Sequence, residues 1–110
     1  MRRVDEAVRE VLSDAVTTNL KDPRVGFVTV TDVKTSADLR HARVYVSVLG
    51  SDEERAASID GLQSAHGYLQ ARVARELHMK HTPQLDFLLD DTAEKADRLE
   101  RLIERLEPDA

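Results

Sequence analysis

One hundred and ten residues suffice for one domain with a single hydrophobic core. The chain has no cysteine, which excludes disulfides, thiolate metal sites and a cysteine nucleophile, and no apolar run nears the roughly 20 residues that span a bilayer. Sixteen basic against twenty-one acidic side chains leave a net charge of −5, which at first sight argues against a nucleic-acid binder. In chain order, Val4, Ala7, Val8, Val11, Leu12, Ala15, Val16 and Leu20 recur at steps of three and four and predict an amphipathic helix. It ends near Lys21-Asp22-Pro23, because the residue before a proline is pushed out of the helical region. The opening Met1-Arg2-Arg3-Val4-Asp5-Glu6 lacks the apolar centre of a signal peptide, so a soluble cytoplasmic protein is expected.

Two strands follow. Val28 to Val33 is dominated by β-branched residues, and in Arg40 to Leu49 the apolar Ala42, Val44, Val46 and Val48 alternate with Arg43, Tyr45 and Ser47. Their polar link, Lys34 to Asp38, is short enough for an antiparallel pair. Ser51-Asp52-Glu53-Glu54 is a capping box that opens a helix through Ala56, Ile59 and Leu62. The pattern breaks at Ser64-Ala65-His66-Gly67 and resumes through Leu69, Val73, Leu77 and Met79. After Pro83, Leu85 to Leu89 forms a third strand, and Thr92 caps a last helix with Ala96, Leu99, Leu102, Ile103 and Leu106 on its apolar face. That helix is expected to cover the core, leaving no apolar stripe exposed and the protein a monomer.

The order α-β-β-α-(kink)-α-β-α predicts one α+β domain over residues 1–110, with a mixed three-stranded sheet and helices on one face. The charge is unevenly placed along it. Residues 84–110 alone carry −5, whereas 63–83 carry +2 from Arg72, Arg75 and Lys80 against Glu76, with His66, His78 and His81 in addition. This local basic strip permits RNA contact in an otherwise acidic protein.

Catalytic chemistry finds little purchase. His78 and His81 form one near-pair, short of the three or four convergent ligands a metal needs. No nucleophile elbow, Walker loop or dinucleotide fingerprint is present, so no enzyme, metal or cofactor is expected. His41 is expected to pack or to point to solvent. Phe27, Tyr45, Tyr68 and Phe87 are scattered, with at least two assigned to the core, which disfavours a base-stacking sheet. RNA contact would then run through the phosphate backbone and basic side chains. A helix broken at a glycine within α-β-β-α-α-β is the layout of a type II K-homology domain, although Ala65-His66-Gly67 replaces the clamping Gly-x-x-Gly loop. A broken helix with a packing glycine explains the same residues without RNA.

Three stretches in register carry a resemblance. Lys21-Asp22-Pro23-Arg24-Val25-Gly26, Ser36-x-Asp38-Leu39-x-x-Ala42-x-Val44-Tyr45-Val46-Ser47, and Ala65-x-Gly67 with Arg75 and Met79-Lys80-x-Thr82-Pro83-x-Leu85-x-Phe87 together resemble the bacterial ribosome-binding factor A family. The similarity runs from about residue 3 to residue 106. It implies a K-homology-like fold with an Ala-x-Gly kink, and a non-enzymatic factor that binds the free small (30S) ribosomal subunit late in assembly. It also implies a role in 16S rRNA processing and cold adaptation, at a place near the neck and decoding region from which a GTPase releases the factor.

Carried over by position, Lys21, Arg24, Arg43, Arg75 and Lys80 match basic positions of the family, and Arg72, His78 and His81 complete the candidate RNA-binding set. Ala65, His66 and Gly67 form the structural kink. Gln70 and His78 stand where the family commonly has arginine. Two other readings compete: an RNA binder of K-homology type unrelated to the ribosome, and a protein-binding module built on the acidic helices.

Overall fold

The computed structural model describes residues 2–19 and 22–106. Helix α1 spans Arg2–Asp14 and runs into a wider π-helical turn, Ala15–Asn19. Strands β1 (Val28–Thr35) and β2 (His41–Val48) precede helices α2 (Asp52–Ser64) and α3 (His66–Leu77). Strand β3 (Gln84–Leu89) and helix α4 (Thr92–Leu106) complete the order. The sheet order is β1-β2-β3, with β1 antiparallel and β3 parallel to β2, as expected when a helical pair supplies the crossover.

The alternation in β2 sends Ala42, Val44, Val46 and Val48 to one face, where Leu85 and Phe87 of β3 join them. Val8, Leu12, Ala15 and Val16 of the first helical segment, Leu62 of α2, and Leu69 and Val73 of α3 close over that face in one cluster. Two departures from regularity serve this core. The helical segment 2–19 widens after Asp14, with Thr17 Oγ1 donating to the Ser13 carbonyl at 2.5 Å, so that the adjacent Ala15 and Val16 are both buried. In β1, Thr31 is an extra residue between the pairs Val30–Val46 and Asp32–Tyr45, a bulge that lets Val30 and Val33 both face inward despite their odd spacing. The bulged Thr31 hydroxyl donates to Asp90 at 2.6 Å, in the link before α4.

Edge strand β3 is protected by two glutamines. Gln63 of α2 donates its amide to the Leu85 carbonyl and accepts from the Phe87 amide, each at 3.2 Å, and Gln70 of α3 accepts from the Leu85 amide at 3.2 Å. Side chains thus stand in for a fourth strand along an edge that would otherwise present unpaired backbone groups.

Several expectations are corrected. Ala56 is exposed, whereas Leu62 is buried and Ile59 packs on the core as the spacing predicts, and α2 also buries Ser58 and Gly61, which residues 22–26 approach closely. Of the four aromatic residues only Phe87 is buried, and Phe27 is 82% exposed at the outer end of the sheet. Thr92 lies inside α4, and Asp90 Oδ1 accepts its amide at 3.0 Å. The largest correction concerns α4 itself. Leu99, Leu102, Ile103 and Leu106 are exposed, so the helix does not cover the core. After a two-residue link α4 extends away from the sheet, and the molecule measures 60 × 33 × 18 Å. The premise behind a monomer, that no apolar stripe is left over, therefore fails.

Candidate nucleic-acid interface

The helical layer has its kink at one end and the loop after α3 at the other, about 18 Å apart for twelve helical residues. At the end of α2 away from the kink the capping box is formed, with Ser51 accepting from the Glu54 amide and Glu54 accepting from the Ser51 amide. These bonds hold the Glu54 carboxyl below its ordinary pKa. Ala65 is the shared boundary of α2 and α3, has no side chain able to cap α3, and leaves its first turn uncapped. His66 Nδ1 lies 2.7 Å from the Gln63 carbonyl, and a Cβ added at Gly67 would meet nothing within 4 Å. The glycine required by packing is Gly61, where a Cβ would sit 2.7 Å from Val25 Cγ2.

Arg24 lies beside this end. Its amide and Nε donate to Asp22 Oδ1 at 2.9 and 3.1 Å, and its Nη2 to Oδ2 at 2.7 Å, which depresses the Asp22 pKa. Buried Ser58 donates to the Arg24 carbonyl and accepts from the Gly26 amide, fastening the corner to α2. Lys21 lies outside the described residues. Arg72 is committed to the protein: its side chain, 14% exposed, bridges Asp14 of α1 at 2.8 Å and Glu76 at 2.9 Å. It pins α3 to α1, and Arg75 is the arginine that α3 presents to solvent.

The other end gathers the remaining cations. His78 terminates α3 in the left-handed conformation (φ 52°), and the Met79 amide closes the turn on the Ala74 carbonyl at 3.0 Å. Beyond it, Lys80 and His81 are exposed and line a groove of about 670 Å³ together with Met79, Thr82, Asp38, Leu39 and Arg40. The far wall is the β1–β2 turn, joined to the near wall by the Gln84 amide donating to the Arg40 carbonyl at 2.7 Å. Arg43 lies on the open face of the sheet, paired in register with Asp86, and lines a second concavity with Lys34 and His41. The structure thus brings Lys80 and His81 together with Arg40, and Arg43 with Lys34 and His41. Arg24 and the kink stand apart from both.

Sequence reasoning missed Arg40 and Lys34 and gave His41 no role. The alternation of β2 already puts His41 and Arg43 on one face, so that pairing was readable; the meeting of Arg40 with Lys80 depends on an approach across forty residues. Among the described residues no three histidine or acidic side chains converge as a metal site would require, and no helix is long and apolar enough to cross a membrane. What this surface can do chemically is hold anions at several points along a basic, partly apolar edge.

Comparison with known proteins identifies the lineage. The family model described as ribosome-binding factor A matches residues 1–103. Ribosome-binding factor A of Geobacter metallireducens is 40% identical over 104 residues, covering 94% of this chain and 88% of that protein. The Brevibacillus brevis protein is 43% identical over 104 residues, covering 94% and 86%. In three dimensions, the crystal structure of the Thermus thermophilus factor superposes with a TM-score of 0.71 at 28% identity, over 80% of this chain and 93% of that one. A homology model of the Thermus thermophilus factor, fitted into a cryo-EM map of a 30S–RbfA complex, gives 0.67 at 29% identity, over 79% and 91%. The fold and the matched length agree, and the chain belongs to the ribosome-binding factor A family.

Proposed function

We propose that this protein binds the free small ribosomal subunit through phosphates of its RNA and supports late maturation of 16S rRNA, as a non-enzymatic factor in the cytoplasm. The observation that carries the reading is the likeness, at 29% identity and a TM-score of 0.67, to the factor fitted into the 30S complex. The clustering of Arg40, Lys80 and His81 at one end of an acidic molecule supports it, because phosphate contact needs a local basic surface rather than a basic protein. Arg75, Lys80 and Arg43 are exposed and support such contacts, and Arg24, also exposed, is bound to Asp22.

The experiment is co-sedimentation of the purified protein with small subunits, large subunits and assembled ribosomes at two salt concentrations. Retention on small subunits alone, weakened by salt, is expected. Replacing Arg75 and Lys80 together by alanine should lower the salt slope by about one for each phosphate that is no longer neutralised. Absence from all three pools would refute the assignment. A second reading, a protein-binding role for α4, is favoured by its uncovered apolar face. Substitutions on α4 that weaken subunit binding without changing its salt slope would support it.

A further inference from the structure

We propose that the groove between the β1–β2 turn and the α3–β3 loop holds one unstacked nucleotide of an RNA strand, its base against Leu39 and Met79 and its phosphates on Arg40, Lys80 and His81. The inference rests on the proposed RNA-binding function and specifies the mode of contact. The groove's volume, about 670 Å³, is in the range of small-ligand sites, and Leu39 and Met79 give it an apolar wall among Arg40, Lys80, His81, Thr82 and Asp38. A purely electrostatic groove would not need that apolar wall. An unstacked base with its flanking phosphates matches both halves of the chemistry.

The backbone supplies a second, independent observation. Of the two non-glycine residues with positive φ among the described residues, His78 (φ 52°) is the left-handed cap of α3, whereas Leu39 (φ 60°) lines the groove. A left-handed turn position ordinarily takes glycine or asparagine, and a leucine there is strained. Strained positions persist where their surroundings hold them, and they concentrate at ligand clamps. The surroundings are evident here: the Leu39 amide donates to the Ser36 carbonyl at 2.9 Å, and the Ser36 amide to the His41 carbonyl at 2.8 Å. Asp38, the one carboxylate in the lining, is turned to its own loop, accepting from the Ser36 hydroxyl at 2.6 Å and the Arg40 amide at 3.0 Å. Its charge is thereby engaged locally, and the cations are left to face the groove's occupant.

The test uses the full chain with Leu39→Asn, which suits the left-handed position while removing the apolar wall, Leu39→Met, which keeps the wall, and Arg40→Ala. Binding is measured to small subunits and to a short single-stranded RNA carrying 2-aminopurine, which brightens when it leaves its stack. Leu39→Asn should fold normally and bind subunits about tenfold more weakly, and Leu39→Met should restore binding. Arg40→Ala should lower the salt slope by about one. Wild-type affinity in Leu39→Asn, or an unchanged affinity and slope in Arg40→Ala, overturns the groove and leaves the proposed function standing. If the wild-type protein fails to bind subunits, the proposed function falls instead, and the oligonucleotide decides the groove. A 2-aminopurine signal that disappears in Leu39→Asn supports it; equal or absent signals overturn it.

Discussion

Gly61 and Gly67 lie six residues apart in the helical layer and answer to different demands. At Gly61 the chain before β1 comes so close that a methyl group would overlap Val25. Gly61→Ala should therefore cost about 1–3 kcal/mol, the range for overpacking a filled site. Gly67 faces open space, so Gly67→Ala should raise stability by up to about 1 kcal/mol through helix propensity. Thermal unfolding of the two variants checks both signs, and a stabilised Gly61→Ala would refute the close approach. Both glycines stand in helices, where glycine costs about 1 kcal/mol against alanine, but which one packing requires depends on a residue 36 positions upstream. Gln70 teaches the same lesson. It stands where the family commonly has arginine, and the structure gives it a backbone bond at the edge of β3.

At the scale of the elements, local chemistry was readable wherever it stayed within a few residues. The capping box from Ser51 to Glu54, the alternation of β2 and the break at Ala65 all appear where the spacing puts them. The π turn and the β1 bulge were not readable, because each is an adjustment that brings consecutive or oddly spaced apolar residues to a core defined by other elements. The guarded edge of β3 belongs to this class too. Gln63→Leu removes one donor and one acceptor from that edge and leaves the Leu85 carbonyl and Phe87 amide without it. A loss of about 1–3 kcal/mol is expected in chemical denaturation, from polar backbone groups left unpaired. An unchanged midpoint would mean that water replaces the side chain at no cost.

Across the whole molecule, helical periodicity identified the apolar face of α4 correctly and its destination wrongly. Leu102 and Ile103 are exposed on a helix that departs from the sheet after two residues. Leu102→Gln with Ile103→Gln should therefore shift stability by no more than about 0.5 kcal/mol, as surface substitutions do. A drop of several degrees in Tm would show that the face is covered in solution. The distribution of charge is also a whole-molecule property. The cations that line the groove come from the turn after β1 and the loop after α3, and none of this is visible in a net charge of −5.

Fold class, element order and family were legible in the linear chain, because hydrophobic spacing, capping residues and in-register motifs are local signals that survive without coordinates. The candidate site was legible only as residue types. Arg72 counted as an RNA-facing charge until the fold paired it with Asp14 and Glu76, and Arg40 went unnoticed until the fold set it beside Lys80. Whether a cation is available to a ligand depends on its immediate neighbours in space, and those come from distant parts of the chain. Periodicity tells which face of a helix is apolar, whereas what covers that face is a fact of tertiary packing, and for α4 the fold leaves it uncovered.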